Sequence, residues 1–148
     1  MIDDREFHSL NVDQQNKILV DLATNSLPVL AKYKMPLEVA KRSIDSCLKS
    51  IEDKAFDAKV ISINLNHPDP DLDLSAQYSF IDDDSAAELA LDIVCFATGA
   101  VANAAYRRQN LDHMPESVAL ATPDVTVGAI DKFKTLSKLG LVENIGQP

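Results

Sequence analysis

Six aspartates fall within sixteen residues of this chain: Asp69, Asp71 and Asp73, then Asp82, Asp83 and Asp84. Alternating carboxylates of the first kind can open a calcium loop, where positions one, three and five supply oxygen ligands. That loop also needs a glycine at position six and a glutamate at position twelve, and the chain has Leu74 and Phe80 there. Pro70 stiffens the turn further. The six acids therefore read as an acidic surface without a metal, offered to a positively charged partner, with Pro68 and Pro70 holding part of it extended. Glu88 and Asp92 stand one helical turn apart, a spacing at which buried carboxylates share a proton or hold a metal. No second helix carries the ligands to complete such a centre, so a solvated stripe, or an ion pair with Arg107, Lys132 or another base, is expected. His8, His67 and His113 lie far apart, without ligand-spaced neighbours. Cys47 and Cys95 sit among apolar residues and read as buried free thiols. Ser85 opens an S-x-x-E box with Glu88 and reads as a helix cap, not a nucleophile. The chain has no G-x-S-x-G, no H-E-x-x-H and no glycine-rich phosphate loop. A protein that is not an enzyme, with no cofactor and no catalytic residue, is the expectation.

A chain of 148 residues, 46% hydrophobic and 25% charged, predicts one globular domain over 1–148 that needs no disulfide or metal to fold. Its formal net charge is −9, from 23 acidic and 14 basic residues. That field repels nucleic acid and anionic membrane, and it speeds encounter with a basic protein. The opening MIDDREF is the reverse of a basic signal-peptide start, and no apolar run looks long enough to cross a bilayer. Both point to the cytoplasm.

The elements that must carry these groups are helical. Ser85–Asn110 is apolar around most of its circumference: Leu89, Ile93, Phe96, Ala97, Ala100 and Ala104 fall on one side, and Leu91, Cys95, Ala102 and Ala105 on the other. Glu88, Asp92, Gly99 and Asn103 fill a narrow wedge between. Such a helix needs neighbours on several sides, and its alanines with Gly99 let them come close. Asn11 and Gln14 have capping-box spacing ahead of an apolar stripe of Val12, Ile18, Leu19, Leu22 and Ala23, which Pro28 should kink or divide. Pro36 suits the first position of the next helix, where Leu37, Ala40, Ile44, Cys47, Leu48 and Ile51 repeat at helical spacing. Residues 54–67 partly alternate, but a lone strand has no partner, so a short helix or an extended segment is expected. A helical turn should begin near Pro115 in the connection Leu111–Ala121. Thr122-Pro123-Asp124 should start a last helix that buries Val125, Ala129, Ile130, Phe133 and Leu136. Gly140 should stop it in the left-handed region with Leu141 packing back, leaving a loose tail to Pro148. The fold class predicted is all-α, a bundle of about five helices around the alanine-rich 85–110.

The run FHSLNVDQQNKILVDLATNSLPVLAKY, the segment KRSIDSCLKSI and the entry QYSFIDDDSAAELALDIV resemble the YjaG-like family of bacterial all-α proteins of unknown function. The shared features are Leu10 with Gln14 or Gln15, Pro28 with Tyr33, and Tyr78 with Asp82, over roughly residues 7–135. The chain departs in length, in Leu48 where the family has a tryptophan, and in a shorter 54–75. The resemblance implies an all-α cytoplasmic protein and transfers no catalytic residue. By type, a small acidic chain without a catalytic motif also resembles immunity proteins of bacterial polymorphic and contact-dependent toxins. That resemblance implies a basic toxin domain as partner, such as a nuclease, bound by Asp69, Asp71, Asp73, Asp82, Asp83 and Asp84. A second copy of the chain is a further possible partner. The alternative is a housekeeping α-helical domain, including an enzyme whose site is assembled across helices.

Overall fold

A computed structural model describes residues 1–143. Among them every regular element is helical: α1 (Asp4–Ser9), α2 (Val12–Ser26), α3 (Lys34–Glu52), α4 (Ala58–Ser62), α5 (Ser85–Arg108), α6 (Glu116–Ala119), α7 (Pro123–Thr126) and α8 (Gly128–Lys138). Short 3₁₀ segments fill the connections at Leu27–Leu30, Ile63–Leu65, Pro70–Leu72 and Ser75–Phe80. The expected all-α class holds. Where about five helices were expected there are eight, because loop segments coil into single turns; only α2, α3, α5 and α8 are longer than two turns.

The hub is α5. Of its 24 residues, 15 are buried, so no continuous face is left for water. Helices α2, α3, α4 and α8 all pack on it, and one apolar cluster runs through the molecule from Phe7 to Leu136. Small side chains make this possible. A Cβ added at Gly99 would lie 2.7 Å from the Ala121 Cβ, so the chain between α6 and α7 can sit this close only over a glycine. By length and hydropathy α5 would also pass for a membrane span, contrary to the expectation that no run is long enough. Here its apolar surface is taken up mostly by neighbouring helices.

Polar groups inside the bundle are paired in short chains. The Ser43 and Thr98 hydroxyls stand 2.6 Å apart, and Thr98 Oγ1 donates to the Val94 carbonyl at 2.8 Å. Ser62 and Tyr106 hydroxyls meet at 2.9 Å, fixing α4 on α5. Gln109 donates from Nε2 to the Phe56 carbonyl at 2.7 Å and accepts the Ala58 N–H at 3.2 Å. Each hydrogen bond satisfies a group whose burial unpaired costs about 1–3 kcal/mol.

Capping and stripe expectations met mixed outcomes. The Asn11–Gln14 box forms in both directions, at 2.9 and 3.1 Å. Residues 54–67 hold a short helix, as expected, and a turn follows Pro115. Ser85, however, is the first helical residue and not the cap: Asp84 accepts the Ala87 N–H at 3.0 Å. Asp84 has the extended backbone a cap requires (φ −107°, ψ 90°), and its carboxylate is the stronger acceptor. Pro36 sits at the third position of α3, where a missing N–H is still harmless. Val12, Leu48 and Val125 stay exposed; Gln15 and Asn16, Ser46, and Thr126 are the buried residues at those turns. The last helix is divided at Val127. Helix α5 stops at Arg108, two residues early, with Asn110 turned to φ 51°. Gly140 takes the expected left-handed φ of 74°, and the Leu141 N–H returns to the Leu136 carbonyl at 3.0 Å although its side chain stays out. The expected loose tail beyond residue 143 lies outside the described residues.

Candidate functional site

The acidic stretch is folded, and three buried side chains hold it. Leu74, Gln77 and Ile81 are fully buried and follow each other at one-turn spacing, so they share the inner face of the turn Ser75–Phe80. The Leu74 N–H reaches the Asn64 carbonyl at 2.9 Å. Gln77 Nε2 donates to the Pro70 carbonyl at 3.1 Å and the Asp73 carbonyl at 3.0 Å, tying Pro70–Leu72 to Ser75–Phe80. The extended loop expected around Pro68 and Pro70 is therefore replaced by a 3₁₀ turn. Asp69 starts it by accepting the Asp71 N–H at 3.0 Å, and proline at the first helical position suits it.

This arrangement divides the six aspartates. Asp69, Asp71, Asp82 and Asp83 are exposed. Asp73 is half-buried; it accepts from Ser75 Oγ at 2.7 Å, while its Oδ1 is enclosed without a partner, as is Gln77 Oε1. Asp84 is fully engaged. Besides its cap it accepts the Tyr33 hydroxyl at 2.6 Å and pairs with Lys32 Nζ at 3.2 Å. The Tyr33 hydrogen bond first, then the Ala87 N–H and Lys32, hold its carboxyl down at about 2. Asp84 therefore fastens the start of α5 to the end of the Leu27–Leu30 turn, and it leaves the group expected to face a partner. Asp83 takes a left-handed φ of 65°, a conformation Asp tolerates better than most residues, at some strain.

Between the two acid groups stands Phe80, 52% exposed. About half of it is covered, unlike the fully buried Leu74, Gln77 and Ile81. The sequence reading missed it. Spacing would not have found it: at three residues per turn Phe80 follows Leu74 and Gln77 and would be expected inside.

A second cluster lies along the polar wedge of α5. Asp92 accepts the Tyr78 hydroxyl at 2.5 Å and pairs with Lys132 of α8 at 3.0 Å, the expected ion pair. The Lys132 ammonium also lies 5.8 Å from the Phe96 ring centre. Tyr78 Oη is 3.7 Å from Cys95 Sγ. Burial pushes the Tyr78 phenol up, and burial pushes both the Cys95 and Cys47 thiols up to about 12. These groups are thus held in their neutral forms, in which a thiol is a poor nucleophile. The cluster joins the acidic stretch, α5 and α8. Glu88 remains exposed and apart from it. Among the described residues no three His, Cys, Asp or Glu side chains gather into a metal-ligating group.

Comparison of the chain with protein-family models, with curated proteins and with solved structures returned no match.

Proposed function

We propose that this chain is a non-enzymatic binding protein of the cytoplasm, an immunity protein that occupies and neutralises a basic toxin domain. The observation that carries this reading is Phe80, half out of the surface, with the exposed Asp82 and Asp83 just after it and Asp69 and Asp71 on the turn packed beside its own. An aromatic anchor within a charged rim is the arrangement found where binding energy concentrates. The carboxylates act mainly on the rate of encounter, and the net charge of −9 extends their reach. A partner with a phosphate-binding surface, such as a nuclease, presents the complementary charge. Gln77 and Ile81 hold the stretch from beneath, so little ordering is left to oppose association.

Capture from the native cell, run in parallel with wild type and with Phe80→Ser/Asp82→Asn/Asp83→Asn, tests the reading. Wild type should retain a basic protein, and the triple variant should lose it while melting normally. A captured partner indifferent both to the triple variant and to salt sinks the proposal. A homodimer through the same face would appear as a light-scattering mass that halves in Phe80→Ser. The housekeeping alternative is favoured by one observation, a mostly apolar cleft with buried polar side chains between α2, α5 and α7. A toxin gene immediately upstream, encoding a basic C-terminal domain, decides for the immunity reading over it.

A further inference from the structure

The cleft lies on a different part of the molecule, where α2 and the C-terminal half of α5 meet the chain leading into α7. Its volume is about 320 Å³, near the lower end of small-molecule sites. The walls are largely apolar, from Ala100, Ala104 and Pro123, but five uncharged polar side chains line it as well: Gln15, Asn16, Asn103, Thr122 and Thr126. All but Thr122 are more than nine-tenths buried. Core positions of this kind are normally hydrogen-bonded. Gln15 is, through Nε2 to the Phe7 carbonyl at 3.0 Å. Among the described residues the Asn16 amide and the Thr126 hydroxyl have no such bond, and both residues line the cleft.

The one charged residue lining the cleft is Arg107. Its guanidinium is aimed by a relay: Asn103 Nδ2 donates to the Val118 carbonyl at 2.9 Å, and Asn103 Oδ1 accepts from Arg107 Nε at 2.8 Å. Among the described residues its two terminal nitrogens have no partner, and no carboxylate comes within ion-pair distance. In a chain with nine surplus negative charges, an oriented and unneutralised arginine beside a concave, mostly apolar wall is an unusual combination.

We infer that this cleft binds a small monocarboxylate. Arg107 takes the carboxylate through its terminal nitrogens, the planar fork matching the two oxygens. Asn16 and Thr126 donate to the same oxygens, and the Ala100–Ala104 wall receives a short hydrocarbon body. Inorganic phosphate shares the charge but has nothing to place against that wall.

The test is a titration of the ¹⁵N-labelled protein with straight-chain monocarboxylates from acetate to hexanoate, with their amides and inorganic phosphate in parallel. Carboxylates should shift the amide signals of Gln15, Asn16, Asn103 and Thr126, with affinity rising along the series until the cleft is filled. Arg107→Gln should weaken binding by roughly tenfold or more, while Arg108→Gln leaves it unchanged. Thr126→Val, nearly isosteric, should weaken it by a smaller factor. Three results overturn the inference: no localised shift with any member of the series, shifts that persist in Arg107→Gln, or amides or phosphate that bind as well as carboxylates.

Discussion

The two ends of α5 carry opposite charges and treat them oppositely. At its start Asp84 is spent on structure, held by Tyr33, Lys32 and the Ala87 N–H. At its end, among the described residues, Arg107 and Arg108 meet only neutral oxygens, those of Asn103 and Ser50, at 2.8 and 3.3 Å. Each charge has the sign its helix end favours, worth about 0.3–1 kcal/mol apiece. The electrostatics of the helix alone thus give both ends equal reason to exist. What separates them is attachment: the acidic end is a joint between elements, and the basic end is left open beside a cleft. Charge at a helix end therefore says little about use until its partners are counted.

The middle of the helix, common to both ends, gives the largest effect. Ile93 is fully buried, and Ile93→Asp should destabilise by about 4 kcal/mol or more, because it strands a charge in the core. Chemical denaturation checks it, and a wild-type midpoint would mean that α5 is not central. Gly99→Ala comes next. The new methyl would sit 2.7 Å from that of Ala121, and neither can rotate away, so a loss of roughly 1–3 kcal/mol is expected. It should disturb amide signals around Ala121 and spare those around Asp84, which sharpens the contrast between the ends.

At the acidic end, Asp84→Ala should cost about 1–2 kcal/mol by removing the cap. Asp84→Asn keeps a good cap and removes the charge, which isolates the pH term. The folded-state carboxyl lies below its ordinary value of 3.8, at about 2. Its contribution is therefore fully present above pH 3.8 and disappears as the pH falls towards 2. The stability gap between wild type and Asp84→Asn should be flat near neutrality and close over that window. A gap that widens in acid would show that the Tyr33 and Lys32 contacts do not favour the charged form. The smallest effects on folding belong to the exposed residues: Asp82→Asn, Phe80→Ser and Arg107→Gln should each move stability by less than about 0.5 kcal/mol. If Arg107→Gln instead behaves like Asp84→Ala, the two ends are alike and the comparison fails.

How far the sequence could be read followed the range of the forces involved. The all-round apolarity of 85–108 and the Asn11–Gln14 box depend on neighbours within a few residues, and both were legible. Phe80 was not legible, since three-residue spacing from Leu74 and Gln77 in a 3₁₀ turn would have placed it inside, and its exposure appears only in the fold. Nor was Asp84. Ser85 and Asp84 are both good caps, and the choice was settled by Tyr33 and Lys32, some fifty residues away along the chain. Asn16 and Thr126 drew no expectation at all. Nothing in the spacing around them marks a polar side chain as buried, and their place in the cleft wall appears only in the fold. Of the six proposed contact acids, exposure fits four, and nothing local set Asp84 apart.

Because α5 is the surface on which α2, α3, α4 and α8 are all laid, the order of synthesis matters. Helices α2 and α3 are complete at Glu52, yet the face they need is finished only at Arg108. At roughly 5–20 residues per second, the first third of the chain waits several seconds with its apolar stripes uncovered. Neither helix can bury its apolar stripe fully in that interval, and most helical stability in proteins comes from such packing. The chain should therefore leave the ribosome largely uncommitted and condense late. In that period its apolar stripes are exposed to aggregation, and any pause in translation before Ser85 should lengthen the exposure.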